Sequence, residues 1–405
     1  MCSICGGSSW DRISEGIWNR SQDRGRDDHG KFISVFNGKW IGNHRAIPTT
    51  ETESPSEKQP VGADIKMVFN GIISNDENLG KKEGEADTSV LPRVLDCSSL
   101  WAFRDSVFDK LIGSYAIATL NIYSGKIFLA CNYKPIWILE YQGKKYFSSL
   151  ASHFPPNTHP YRMDPYSVLD LFSGEKLPIQ RRQSNKALVI CSSGLDSTTV
   201  AAYSCKKHGP ENVVLLHFDY GCQATNKEAD QIKKIAQYLN CGYRIEKMPS
   251  FGGSSLLTKD GNISQGIEGA EYAHEWVPAR NLVMLSITVS MAEALKFGHI
   301  YLGTNLEEAG AYPDNEEQFI LDFNNLLYGA VQNGVKIQIH TPLGGLMKHE
   351  IIPFGMKYDT PYHLTWSCYR GGDKHCGKCG PCYMRKTAFE RNGLQDPVLY
   401  EKEKK

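Results

Sequence analysis

Ser192-Ser193-Gly194-Leu195-Asp196-Ser197 is the stretch that decides how this 405-residue chain is read. The apolar run Ala187-Leu188-Val189-Ile190 precedes it, and a helix-like segment, Thr198-Thr199-Val200-Ala201-Ala202, follows. A buried strand, a turn of small hydroxylated residues and a helix start leave backbone N–H groups pointing at one spot, which makes an anion site. Around it the pattern alternates. Strands are expected over 187–191, 213–218, 243–247 and 299–303, and helices near 197–207, 226–239 and from Arg280 to Lys296. That rhythm predicts a doubly wound parallel α/β sheet.

The first 150 residues read differently. Short runs such as 32–36, 67–69, 114–120 and 126–130, separated by Asn-Gly and Ser-Gly turns, predict antiparallel sheet. Residues 50–62 and 80–88 read as loops, and 151–185, with several prolines, as a connecting segment with some helix. The expected organisation is therefore 1–150, a connector 151–185, and a second domain 186–395. Formal net charge is zero, and the only basic clusters are Arg181-Arg182 and the lysine-rich tail, so bulk electrostatics points to neither nucleic acid nor membrane. The start of the chain lacks a signal-peptide pattern and no apolar run approaches a membrane span, so a cytoplasmic location is expected. Twelve cysteines then read as reactive or metal-binding rather than as a disulfide framework.

Cys2 directly follows Met1. Removal of Met1 would leave a cysteine whose thiol and α-amine share one carbon, and an amine with pKa near 7.7–8.0 is partly an unprotonated base at neutrality. An incidental buried cysteine is the bland alternative. Further residues weigh against it: Arg24-Gly25-Arg26-Asp27-Asp28-His29-Gly30, Gly42-Asn43-His44-Arg45, Phe69-Asn70-Gly71, Ala86-Asp87-Thr88 and Gly113-Ser114-Tyr115-Ala116. With Cys2, these resemble, in order, the landmarks of class II (N-terminal nucleophile) glutamine amidotransferases. The resemblance implies an Ntn-hydrolase αββα sandwich. It also implies an oxyanion hole at Asn70 and Gly71, and glutamine held by Arg45 through its α-carboxylate and by Asp87 through its α-amine. Ile72 departs from the family's glutamate, and Arg26 from its proline. Cys5 reads as structural.

Cys368, Cys376, Cys379 and Cys382 form C-x7-C-x2-C-x2-C among Gly377, Gly380 and Pro381. Four thiolates aimed at one point suit a closed, structural Zn²⁺ site. An iron–sulfur cluster or redox dithiols are the alternatives, though nothing else in the sequence suggests electron transfer.

The loop at 192–197 resembles the SGGxDS signature of the PP-loop ATP pyrophosphatases, with Ser193 where that family has glycine. Residues 186–390 as a whole resemble the 7-cyano-7-deazaguanine synthase (QueC-like) members of that class. The matching segments are Phe218-Asp219-Tyr220-Gly221, Val277-Pro278-Ala279-Arg280-Asn281, Gly303-Thr304-Asn305, Tyr312-Pro313-Asp314, Thr341-Pro342-Leu343 with Lys348, and Thr365-Trp366-Ser367-Cys368-Tyr369. Cys222 intervenes in what the family writes as Tyr-Gly-Gln. The resemblance implies that Ser192, Ser193, Gly194, Leu195, Asp196 and Ser197 bind ATP, with Asp196 helping to hold Mg²⁺. It implies that Arg280 and Lys348 neutralise the phosphorus transition state, and that Tyr312, Asp314 and Phe319 border the deazapurine. For Phe319 a core position, and for Lys348 a surface-helix position, are the bland alternatives. A left-handed φ at Ser193 would cost about 1 kcal/mol.

A glutaminase joined to an ATP-splitting synthase implies glutamine-driven amidation of an activated carboxylate: 7-carboxy-7-deazaguanine taken to 7-cyano-7-deazaguanine. Ammonia made where it is used avoids protonation and raises its effective concentration. Fusions of this architecture also resemble enzymes implicated in archaeosine formation and phage DNA modification, where ammonia adds to a nitrile to give an amidine. Only that second reading involves nucleic acid. An asparagine synthetase-like enzyme and an inactive nucleotide-binding module are weighed against by the four cysteines and by intact Cys2 and Asp196. ATP, Mg²⁺ and Zn²⁺ are the expected cofactors, and a homo-oligomer the expected assembly.

Overall fold

The computed structural model describes residues 2–46, 58–179, 183–249, 252–258, 261–266, 275–309, 312–331 and 335–401. Arg181, Arg182, most of the loop read at 50–62 and the last lysines lie outside them. The chain divides into two compact units, Met1–Arg182 with Tyr328–Gly334, and Gln183–Leu327 with Val335–Lys405. None of the described helices is long and apolar enough to cross a membrane.

In the first unit, eleven strands build two antiparallel sheets. They are β1 (Ser3–Gly7), β2 (Asp28–Ile33), β3 (Trp40–Arg45), β4 (Ile65–Ile73), β5 (Gly113–Asn121), β6 (Ile127–Cys131), β7 (Trp137–Tyr141), β8 (Lys144–Ser148), β9 (Tyr161–Arg162), β10 (Ser167–Asp170) and β11 (Lys176–Pro178). The orders are β2-β3-β1-β8-β7-β9 and β11-β10-β6-β5-β4. Period-two alternation sends successive side chains to opposite faces. Val68, Ala116 and Ala118 meet Ile4, Ile41 and Phe147 between the sheets, while Phe69 and Ile117 face outward to Phe103 and Val107 of helix α2 (Leu100–Lys110). On the opposite face, helix α1 (Arg12–Ser21) lays Ile17 and Trp18 on Trp40 and Tyr146. Asp11 caps α1 by accepting from the N–H groups of Ile13 and Ser14. The result is the expected helix–sheet–sheet–helix sandwich. Two local expectations change. The stretch 151–185, read as a connector with some helix, has one short helical turn at Ala151–His153 but also supplies β9, β10 and β11, short strands that pair with β7, β6 and β10 respectively. The run 32–36 stops being strand at Ile33, because the Ser34 hydroxyl accepts from Phe36 N and starts the turn early.

The second unit has an all-parallel sheet: β12 (Ala187–Ile190), β13 (Val213–Asp219), β14 (Gly242–Lys247), β15 (His299–Tyr301) and β16 (Gln338–His340), in the order β14-β13-β12-β15-β16. Helices α3 (Leu195–His208), α4 (Thr225–Leu239) and α5 (Arg280–Leu295) follow the expected positions within two residues. β12 is buried along its length, as a central parallel strand covered on both faces must be. Its neighbours lead away in opposite directions, β13 on one side and β15 on the other. β12 is therefore the topological switch point, and a crevice opens outside its carboxyl end, where 192–197 begins.

Candidate active sites

Gly194 caps α3 with no side-chain hydrogen bond, so the first-turn N–H groups of α3 face the crevice. Ser197 organises the turn: its hydroxyl accepts from Ser192 N and lies 3.2 Å from the Ser192 hydroxyl. Gly303, just past β15, lies so close to this turn that a Cβ there would sit 3.0 Å from Ser197 Cα. The crevice forms a cavity of about 190 Å³ lined by Ser192, Gly194, Asp196, Ser197, Arg280 and Lys348, among others.

Lys348 opens helix α7 (Lys348–Met356), and at 8% exposure it is no surface residue. Its ammonium donates to Asp196 Oδ2 and, at 3.3 Å, to Glu308 Oε1. Burial pulls the lysine pKa down, but the Asp196 and Glu308 carboxylates outweigh it, so the ammonium is held charged. Asp196 Oδ1 is buried with no hydrogen-bond partner among the described residues. Arg280, the first residue of α5, donates to the Tyr220 hydroxyl at 3.3 Å. Two cations beside an anion-binding turn, Lys348 buried and Arg280 half-buried, can stabilise negative charge developing on phosphoryl oxygens.

Arg280, Glu308 and Lys348 also line an adjoining cavity of about 90 Å³. Trp276 and Tyr312 stack there, ring centroids 5.6 Å apart and 13° from parallel, beside Tyr369. Asp314 Oδ2 accepts from Asn281 N at 2.9 Å, which fixes the carboxylate at the wall.

In the first unit, Ser3 pairs with His44, which puts Cys2 level with Arg45 at the end of β3. Cys2 is half-buried, its Sγ 3.8 Å from the Ala46 carbonyl oxygen. Asn43 Nδ2 donates to Ser3 O at 3.1 Å and Phe69 O at 3.2 Å, drawing Asn70 and Gly71 of β4 alongside the Cys2 end of β1. The Asn70 amide nitrogen is buried with no partner among the described residues, a donor left for an acceptor from outside. Gly71 must be glycine, since a Cβ would sit 1.9 Å from Ser114 O. Asp87 Oδ2 accepts from Ile73 N at 3.0 Å, and burial raises its pKa. Ile72 is 67% exposed.

Residues 186–393 match the family model described as queuosine biosynthesis protein QueC, and residues 43–155 the glutamine amidotransferase domain model. The protein named 7-cyano-7-deazaguanine synthase from Sulfolobus acidocaldarius is 40% identical over 94% of each chain. The like-named protein of Saccharolobus solfataricus is 38% identical over the full length of both. The chain belongs to the 7-cyano-7-deazaguanine synthase family. It carries a glutamine amidotransferase domain as well, and its likeness to the two archaeal synthases runs through both units. The synthase of Koribacter versatilis, 37% identical, covers 55% of this chain and 97% of its own, so synthases of about half this length also exist.

For a synthase of this family, two site expectations change in detail. Phe319 does not line either cavity; in helix α6 (Glu317–Ala330) its ring turns to Phe323, one turn on. Ser193 does not present its side chain to the crevice. It is fully buried at φ 61°, its hydroxyl has no partner among the described residues, and its carbonyl accepts from Trp366 N at 2.8 Å. The left-handed backbone is the strain expected for a non-glycine here. Ser193→Gly is expected to raise unfolding stability by up to about 1 kcal/mol, checked by denaturant titration. The residues missed were Trp276, Glu308, His217 and Glu228. Glu228 carried a readable signal: it lies on the α4 stripe completed by buried Ile232, Ile235 and Ala236, where a carboxylate is out of place.

The four C-terminal cysteines are buried, and their sulfurs lie within 4.8 Å of one another. Arg370 N and Cys376 N point at Cys368 Sγ (3.4 Å each), and Lys378 N and Cys379 N at Cys376 Sγ (3.4 and 3.3 Å). N–H groups aimed at sulfur favour thiolates, so the donor set fits a metal such as zinc.

Proposed function

We propose that this chain makes 7-cyano-7-deazaguanine from 7-carboxy-7-deazaguanine, with ATP for activation and glutamine as the nitrogen source. The observation that carries the reading is the Asp196–Lys348 pair over an anion-binding turn, next to a cavity lined by the stacked Trp276 and Tyr312 rings. Cys2 thiolate attacks the glutamine carboxamide carbon, with the oxyanion at Asn70 and Gly71. The C–N bond breaks, ammonia leaves, and water cleaves the thioester to glutamate. Arg45 and Asp87 hold the glutamine α-carboxylate and α-ammonium. The substrate carboxylate attacks the α-phosphorus of ATP, and pyrophosphate departs against the 192–197 turn while Lys348 and Arg280 balance its charge. Ammonia displaces AMP to give the amide. A second ATP activates the amide oxygen, which leaves with AMP as two protons are lost, and the nitrile remains. Tyr312, Trp276 and Asp314 border the deazapurine. The unpartnered Asp196 Oδ1 suits a Mg²⁺ that arrives with ATP.

The test is mass spectrometry of the products from 7-carboxy-7-deazaguanine, glutamine and ATP. Nitrile, glutamate, AMP and pyrophosphate are expected. Conversion of a nitrile substrate to an amidine without ATP, while the acid is untouched, would overturn the reading.

Zinc at Cys368, Cys376, Cys379 and Cys382 is part of the proposal, with a structural role. Cys379→Ser is expected to lose the bound zinc, measured by elemental analysis. It should also lower the melting temperature, since such sites contribute on the order of 10 kcal/mol to local folding.

A further inference from the structure

The cavity over the 192–197 turn contains a pair of groups that the chemistry above leaves unused. His217, near the carboxyl end of β13, is 1% exposed. Its Nδ1 lies 3.2 Å from the Cys191 carbonyl oxygen. A carbonyl only accepts, so Nδ1 carries the proton and Nε2 presents a lone pair. Burial lowers the pKa of the ring and keeps it neutral. Nε2 has no hydrogen-bond partner among the described residues. Facing it at 4.0 Å is Glu228 Oε2, from the first turn of α4. That oxygen receives one weak contact, from the Cys222 thiol at 3.9 Å. Two acceptors therefore oppose each other across a gap too wide for a hydrogen bond between them.

Both groups line the cavity, as do Ile190, Phe218, Met284 and Leu302, whose apolar surfaces suit the faces of a flat ring. Leaving a buried acceptor unmade costs about 1–3 kcal/mol, so the pair calls for a donor with more than one N–H. An exocyclic amine on a purine is such a donor, whereas a 6-oxo group would bring a third acceptor against the first two. We propose that His217 Nε2 and the Glu228 carboxylate read the 6-amino group of adenine and select ATP over 6-oxopurine nucleotides. The inference rests on the assignment of this cavity to ATP. Burial pushes Glu228 up to about 7. Donation from the ligand would draw it back toward the charged form that accepts best.

Calorimetric titration of the full chain with Mg²⁺ at pH 8, where Glu228 is ionised, tests this with ligands alone. ATP is compared with purine riboside triphosphate, which has hydrogen in place of the amine, and with inosine triphosphate. The expected result is binding weaker by about tenfold or more for the first analogue, and weaker still for the second. Glu228→Gln offers an amide that can donate to a 6-oxo group, so it should narrow the ATP-to-inosine preference to about threefold or less. A merely structural role would weaken all three nucleotides in parallel. Equal binding of the three by the natural chain, or an unchanged preference in Glu228→Gln, overturns the proposal while leaving ATP at the site. If none of the three binds, the ATP assignment falls and takes the proposal with it.

Discussion

In a Cys2→Ala variant, glutamate release from glutamine is expected to fall by about 10³-fold or more, because the thiolate proposed to open the carboxamide is gone. The neighbouring cysteine is no substitute: Cys5 is fully buried and its thiol is pushed up to about 12 by burial. Nitrile formation from ammonium salts and ATP should stay within about twofold of the unaltered chain, since Cys2 belongs to a unit with its own sheets and cores. The measurement is paired: glutamate by coupled assay, and nitrile by mass spectrometry with either glutamine or ammonium as the nitrogen source. Loss of both nitrogen routes would mean that Cys2 supports the fold rather than the hydrolysis. Retention of the glutamine route would remove the amidotransferase reading of the first unit.

What could be read in the sequence follows from how local each signal is. The strand, turn and helix around 192–197 are contiguous, so pattern alone placed the loop at the end of β12. The C-x7-C-x2-C-x2-C spacing likewise survives folding, because three of the four thiols lie within seven residues. Ser193 was legible as an anomaly: a side chain where the turn needs a left-handed residue, and its φ of 61° is that residue's conformation. Phe319 failed because an aromatic residue four positions before another on a helix satisfies itself locally, as its contact with Phe323 shows. The strands within 151–185 failed for the opposite reason. Two to four residues of strand carry little periodicity, and their identity is set by the strands they pair with. Lys348 lay between these cases. A lysine at a helix start reads as solvated, and only the fold brings Asp196 to it from 152 residues away.

That pairing sets the second large effect. Lys348→Met is expected to lower pyrophosphate formation by about 10²–10³-fold with ammonium and with glutamine alike, the usual loss when one preorganised charge is removed from a transition-state site. Glutamate release, proposed for the other unit, should be unchanged. The substitution also strands Asp196, whose carboxyl pKa is pushed up by burial and drawn back down chiefly by this lysine. Breaking one side of a buried pair costs about 3–5 kcal/mol, so Lys348→Met alone confounds folding with catalysis. Asp196→Asn combined with Lys348→Met separates them. With both charges gone, no uncompensated ion remains, and unfolding stability should return to within about 1–2 kcal/mol of the natural chain. Pyrophosphate formation should stay as low as in Lys348→Met or fall further, because the lost ammonium has not been replaced. Denaturant titration and pyrophosphate release, measured on the same three proteins, give the comparison. A double variant that recovered both stability and turnover would mean that Lys348 serves only to neutralise Asp196, and the phosphoryl charge would then have to be met by Arg280 and the N–H groups of the turn alone.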